Sequence, residues 1–182
     1  MWRDESGVTA VEFAIVAPIL LLLLFGILEF SGIMLVSVLM EGATNMSSRL
    51  GATGYSSGGE SRTQTILDAV KQNAGVLIDA NNVTVTAESY GQFNQIGQPE
   101  PYTDTNHNGQ YDAGEPYTDI NGNGQWDADM GAAGYGGAGD VVVYTVSYPW
   151  HIMTPMMGRL IGTGGIYTIT AHAVVKNEPY ND

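Results

Sequence analysis

Apolar and polar positions divide this chain into two unlike parts. Across residues 13–40 the only polar side chains are Glu29, Ser31 and Ser37. A bilayer-spanning helix needs about 20 apolar residues, so this run is long enough to span. A chain of 182 residues could hardly enclose it as a core helix. Beyond Met40 the segment EGATNMSSRLG turns polar but keeps Met46 and Leu50, and the helix is expected to end near Leu50. ATGYSSGGE then interrupts it. A second helix is expected over residues 61–73, starting at Glu60 or Ser61, with Ile66, Leu67 and Val70 on one face and Gly75 as its stop.

The rest follows a period of two. In NNVTVTAES, Val83, Val85 and Ala87 alternate with Thr84, Thr86 and Glu88, as in a half-buried strand. Further strands are expected over residues 140–148 and 166–175, both rich in Val, Tyr and Thr. Between them, HIMTPMMGRLIG has room only for a short helical turn. The pattern predicts an α+β fold, in which a long N-terminal helix precedes a head whose small antiparallel sheet buries one face on a helix. The domain reading is a leader at 1–7, the apolar helix at 8–52 and an exported head at 53–182. Within the head, residues 98–139 form an insertion whose exit, GAAGYGGAG, reads as a flexible linker.

That insertion repeats itself. Glu100-Pro101-Tyr102-Thr103-Asp104 returns fifteen residues later as Glu115-Pro116-Tyr117-Thr118-Asp119, and each copy continues D-x-N-x-N-G-Q, an aromatic, then Asp-Ala. Calcium takes six to eight oxygen ligands, and a twelve-residue loop supplies them from positions 1, 3, 5, 7, 9 and 12, with Gly at position 6. Counting from Asp104 places Asp104, Asn106, Asn108, Gln110 (through its carbonyl), Asp112 and Glu115 at those positions, with Gly109 at the turn. The second copy supplies Asp119, Asn121, Asn123, Gln125 and Asp127, but its position 12 is Met130; Asp129, one place early, is the expected substitute. The loops resemble EF-hand and dockerin-type calcium loops. Only three residues separate them, so no full helix fits between, and Tyr111 and Trp126 are expected to pack on each other or on the sheet. Asn-Gly turns in a solvated loop would explain the glycines, but not the carboxylates at positions 1, 9 and 12. His107 is expected to point outward.

Charge sharpens the picture. Six Lys and Arg face nineteen Asp and Glu, a formal charge of −13, which argues against nucleic acid and anionic lipid headgroups as partners. No Lys or Arg lies between Lys71 and Arg159, so the acidity is either solvated or neutralised by cations. The chain has no cysteine, which removes disulfides, thiolate metal sites and cysteine nucleophiles. His151 and His172 are lone histidines in strand or turn contexts, the serines carry no nucleophile motif, and no phosphate-binding loop occurs; an enzyme is not expected.

Two acids mark the apolar helix. GVTAVEF places Gly7 before Val8 and Glu12 before Phe13, the form of a type IV prepilin cleavage site. Cutting after Gly7 would expose the Val8 amine, which Glu12 of a neighbouring subunit could neutralise in a dry filament interior. Glu29 lies within the run, where an ionised acid costs roughly 2.5–3.5 kcal/mol on insertion scales. It reads as a neutral or helix-paired carboxyl or as one with a partner on another subunit, and no cation lies nearby on the same helix.

The longer string GVTAVEFAIVAPILLLLLFGILEFSG resembles TadE-like proteins of the tight-adherence (Tad) pilus system. The likeness continues in EGATNMSSRLGATG, YTVSYPWHIMTPMMG and AHAVVKNEPY. It implies a pilin-like head and processing by a prepilin peptidase at Gly7–Val8. It also implies identical or related pilin subunits and inner-membrane pilus assembly machinery as partners. The expected location is the bacterial inner membrane, single-pass with the head exported, or an extracellular pilus once assembled. Three functions stay open: a pilus subunit whose head calcium stabilises, a membrane-anchored periplasmic assembly scaffold, and a calcium-dependent adhesin.

Overall fold

The computed structural model describes residues 6–52, 62–75 and 77–179. Most of the expected leader, the break at 53–60 and the expected start of the second helix lie outside these residues. Helix α1 spans Ser6–Ala52 and α2 spans Arg62–Ala74. Four strands follow, β1 (Thr84–Tyr90), β2 (Ala132–Ala133), β3 (Val141–His151) and β4 (Ile166–Lys176). They form one antiparallel sheet in the order β2-β1-β3-β4. The expected long helix and small antiparallel sheet are both present.

One stripe of α1 joins the two parts. Ile33, Val36, Met40 and Ala43, spaced three and four apart, are buried against Ile66 and Val70 of α2 and against the sheet. The sheet presents Val142, Tyr144, Val146, Tyr148 and Trp150 of β3 with Ile169 and Ala171 of β4 to that stripe. Across the middle of its other face Thr86, Thr145 and His172 lie side by side in register, and Thr145 Oγ1 is 3.0 Å from His172 Nδ1. Where the stripe turns polar, the Thr44 hydroxyl donates to the Met40 carbonyl one turn back. At the head's upper end, the Glu178 N–H donates to the Ala52 carbonyl, closing the C-terminal segment onto the end of α1.

Below Gly26, where Met157 of the head still reaches the helix, α1 is largely bare. Val11, Phe13, Ile15, Val16, Ile19 and Leu20 are more than half exposed, and the helix is long and apolar enough to cross a membrane. Thr9 to Glu29 spans about 30 Å at 1.5 Å per residue, the thickness of a bilayer's hydrocarbon core.

Strand β3 runs past Tyr148, where sequence alone would stop it at Pro149. Its pairing with β1 ends at Ser147, and Pro149 pairs only with β4, an edge position that tolerates proline. The β3–β4 connection contains the expected short turn, a 3-10 segment at Met157–Arg159. Glycines of the insertion's exit are not a free linker. Ala132 and Ala133 pair with Ser89 and Glu88, and Asn177 Nδ2 donates to the carbonyls of Tyr135 and Gly137. Gly131 is there because a Cβ would fall 2.7 Å from the Tyr90 ring.

Glu29 belongs to the same stripe, four residues before Ile33, and is only 1 % exposed. Its Oε1 accepts the Trp150 indole N–H at 2.8 Å, and its Oε2 accepts the backbone N–H groups of Met153 and Thr154 at 3.1 and 3.3 Å. Gly32 gives the indole room, since a Cβ there would stand 3.2 Å from the Trp150 ring. The partner that the sequence left open is thus the end of β3. Replacing Glu29 with Ala should lower stability by about 3 kcal/mol by stranding three donors, and Trp150→Phe by about 1.5 kcal/mol. Urea unfolding of the full chain in detergent micelles measures both.

Candidate functional site

The insertion leaves the sheet where β1 ends and β3 begins, at the paired residues Tyr90 and Val141. Its two loops face each other across a local two-fold. The Thr103 N–H donates to the Pro116 carbonyl and the Thr118 N–H to the Pro101 carbonyl, both at 2.8 Å, around a bridge between Tyr102 and Tyr117. At the centre, Tyr111 stacks on Trp126 with ring centroids 4.4 Å apart. Tyr102 meets both of those rings edge-on, and Tyr117 meets Tyr111 in the same way. Such pairs contribute about 0.5–1.5 kcal/mol each beyond their burial. The aromatic that follows each Asn-Gly-Gln therefore builds a small core between the loops.

Each loop is wrapped around its first aspartate. Asp104 accepts the N–H groups of Asn108 and Gly109 at 3.2 and 2.8 Å, and Asp119 accepts those of Asn123 and Gly124 at the same two distances. Asn106 Oδ1 accepts from the Asn108 N–H and Asn108 Oδ1 from the Gln110 N–H. Asn121 and Asn123 repeat this with Asn123 and Gln125. The backbone repeats as well: Gly109 and Gly124 have φ of 78° and 79°, and the fourth position is left-handed in both, at His107 and Gly122. His107 is exposed, as expected. At position 9, Asp112 Oδ2 accepts the amides of Asn106 and Asn108, and Asp127 Oδ2 those of Asn121 and Asn123.

The twelfth position separates sequence from structure. In the first loop, Glu115 folds over its own loop, Oε1 accepting the N–H and hydroxyl of Thr105 and Oε2 the N–H of Asp112. In the second loop the equivalent donors are Ile120 and Asp127, and the carboxylate that meets them is Glu100. Glu100 is completely buried, although it lies nineteen residues before the loop it closes. Asp129, the expected substitute, turns elsewhere: it accepts from the Tyr90 hydroxyl at 3.1 Å and the Gly131 N–H at 3.1 Å. Met130 is not free to be polar, because it packs with Tyr90 and Val141 and fastens the insertion to the sheet. A clue was present in the sequence: Glu100 is related to Glu115 by the same fifteen-residue shift that relates the loops.

The donor set is entirely oxygen, with three carboxylates and two amides to each loop. This suits a hard cation such as calcium better than a transition metal. Among the described residues, no three His, Cys, Asp or Glu side chains stand close enough to hold a metal by themselves. The acids of each loop are interleaved with asparagines, and a cation would compete with two amide donors for the position-9 carboxylate. Gly7 and Val8 lie in the first turn of α1, and Glu12 is exposed on it, well away from these loops.

Comparison with known proteins bears on the helix and not on the loops. Residues 7–49, which fall within α1 and make up less than half of the chain, match the family described as TadE-like protein. That match supports a Tad pilus-associated protein. No curated protein and no solved structure matches the chain.

Electrostatics in the loops has a definite sign. The backbone N–H of Asp112, then that of Thr105, holds the Glu115 carboxyl below its ordinary value of 4.5. Because the folded state has the lower value, the resulting stability is fully present above the ordinary value and is lost as pH falls through the lowered one. Burial, followed by the hydrogen bond to Asp129, pushes the Tyr90 phenol up, so it remains a neutral donor in the same range. Thermal melting of the chain followed from about pH 5 to about pH 3 should fall more steeply for the native sequence than for Glu115→Gln.

Proposed function

We propose that this chain is a pilin-like structural subunit of a Tad-type pilus, held in the membrane and then in the fibre by α1, with a head stabilised by calcium. One observation carries the reading: the uncovered apolar surface of α1 is longer than a bilayer requires. Beyond Glu29, on the side away from the head, Phe30, Met34, Leu35 and Val38 remain half or more exposed. A lone membrane anchor has no use for this second apolar stretch beside a folded head. A helix that packs against copies of itself does. The TadE-like match over residues 7–49 supports the same reading and accords with a structural role rather than an enzymatic one. A prepilin peptidase would cut between Gly7 and Val8, and Glu12 of one subunit would meet the new amine of the next.

Calcium would be held by Asp104, Asn106, Asn108, Gln110, Asp112 and Glu115 in the first loop. In the second it would be held by Asp119, Asn121, Asn123, Gln125, Asp127 and Glu100. Exported heads meet millimolar calcium, so even weak sites of about 10⁻⁴–10⁻³ M would fill and stabilise the head by mass action. This is a conditional staple in a chain without disulfides.

Sheared fibres decide between a subunit and an assembly scaffold. A subunit is recovered in them, and Glu12→Ala abolishes that recovery while the chain still inserts in the membrane. A chain absent from fibres whose assembly it supports would be a scaffold instead. For calcium, titration calorimetry on the full chain in detergent should show two sites. Asp104→Ala removes one and Glu100→Gln weakens the other at least tenfold, whereas Asp129→Ala changes neither. Heat unaltered by Asp104→Ala and Glu115→Ala together would remove calcium from the account.

A further inference from the structure

We infer that the β3–β4 connection, residues 152–165, is a second membrane-contacting element, a foot that rests in the lipid interface beside α1. The inference depends on the reading of α1 as membrane-inserted, and three independent features of the head lead to it.

The first is level. The Glu29 carboxylate fixes Met153 and Thr154 at its own height on the helix, and Met157 reaches lower still, where a Cβ on Gly26 would stand 3.5 Å from its terminal methyl. Thr9 to Glu29 is one hydrocarbon thickness, about 30 Å. If that length fills the bilayer, the connection lies at its surface.

The second is chemistry. Met153 and Leu160 are 69 % and 70 % exposed, and Met156 is half exposed. Three large apolar side chains thus point away from a head that has a well-formed core elsewhere. They lie next to the exposed apolar surface of α1 and extend it sideways, and flexible methionines suit an irregular acyl boundary.

The third is charge. The chain carries −13 overall, yet no Asp or Glu occurs from Val141 to Lys176, and the one charged side chain of the connection is Arg159, which is exposed. An arginine flanked by apolar side chains matches the phosphates of an anionic interface. The acidic loops leave from the opposite end of the sheet, at Tyr90 and Val141, whereas the connection leaves from His151 and Ile166. Strand β3 separates the two ends by about 33 Å, several Debye lengths at physiological ionic strength. The acidic loops thus stand far from the end that meets lipid, where Asp79, beside Tyr148, is the nearest exposed acid of the head.

Because the chain has no cysteine, single labels can be placed without background. Full chains carrying Leu21→Cys, Ala113→Cys, Met156→Cys or Leu160→Cys, each with an environment-sensitive fluorophore, are reconstituted in vesicles of phosphatidylethanolamine and phosphatidylglycerol. Quenchers are placed on lipids at headgroup or deep acyl positions. Labels at 156 and 160 should be quenched several-fold more strongly than the label at 113, and best by the shallow quencher. The label at 21 should respond to the deep one. Labels at 156 and 160 as accessible to water as that at 113, with 21 still quenched, would overturn the foot alone. A label at 21 in water would remove the insertion of α1, and the foot with it. Shielding at 156 that appears only as protein density rises would assign the surface to a second copy and overturn the lipid assignment.

Discussion

A buried carboxylate on an apolar helix is the constraint around which this molecule is arranged. Glu29 sits where the bare half of α1 meets the half that carries the head, with three N–H donors closing on its two oxygens. A charge taken out of water is tolerated only with such partners. The partners come from the end of β3 and the start of the connection after it, more than 120 residues away in sequence. Their geometry fixes the height of the sheet on the helix. The exposed length below Glu29, the packed stripe above it and the level of the β3–β4 connection all follow from that single registration.

The same logic operates at the other end of the sheet with opposite chemistry. There the chain gathers carboxylates instead of isolating one, and manages their repulsion with backbone N–H groups and asparagine amides. The two loops achieve this as a pair. Only the first is complete within its own twelve residues, since Glu115 closes it from within, whereas Glu100 closes the second from outside. Met130 explains the departure. The position that a lone loop would give to a ligand is needed to pack against Tyr90 and Val141, and the two-fold supplies an equivalent carboxylate from upstream.

Function, in this view, is divided along one axis. An apolar helix offers a surface long and apolar enough to cross a membrane. A sheet with one helix-covered face keeps the head rigid, and an oxygen-rich insertion stands at the far end. On the face of the sheet away from α1, His172 is paired with Thr145.

Local periodicity and composition determined a great deal. The length of α1, the positions of α2 and the three main strands and the doubling of the acidic loop are all legible in the sequence, because each depends on neighbours in the chain or on an exact repeat. What required the tertiary structure is whatever depends on distant segments meeting. Glu29 read as a costly acid in lipid until the end of β3 was seen to supply its donors. The glycine-rich exit read as a flexible linker, yet β1 and Asn177 hold it in place. Asp129 read as the substitute ligand, because a linear count cannot show that a two-fold exchanges Glu100 into the second loop. Hydrophobic pattern is a local property of the chain, whereas the satisfaction of a buried carboxylate is decided by whichever donors the fold brings within three ångströms.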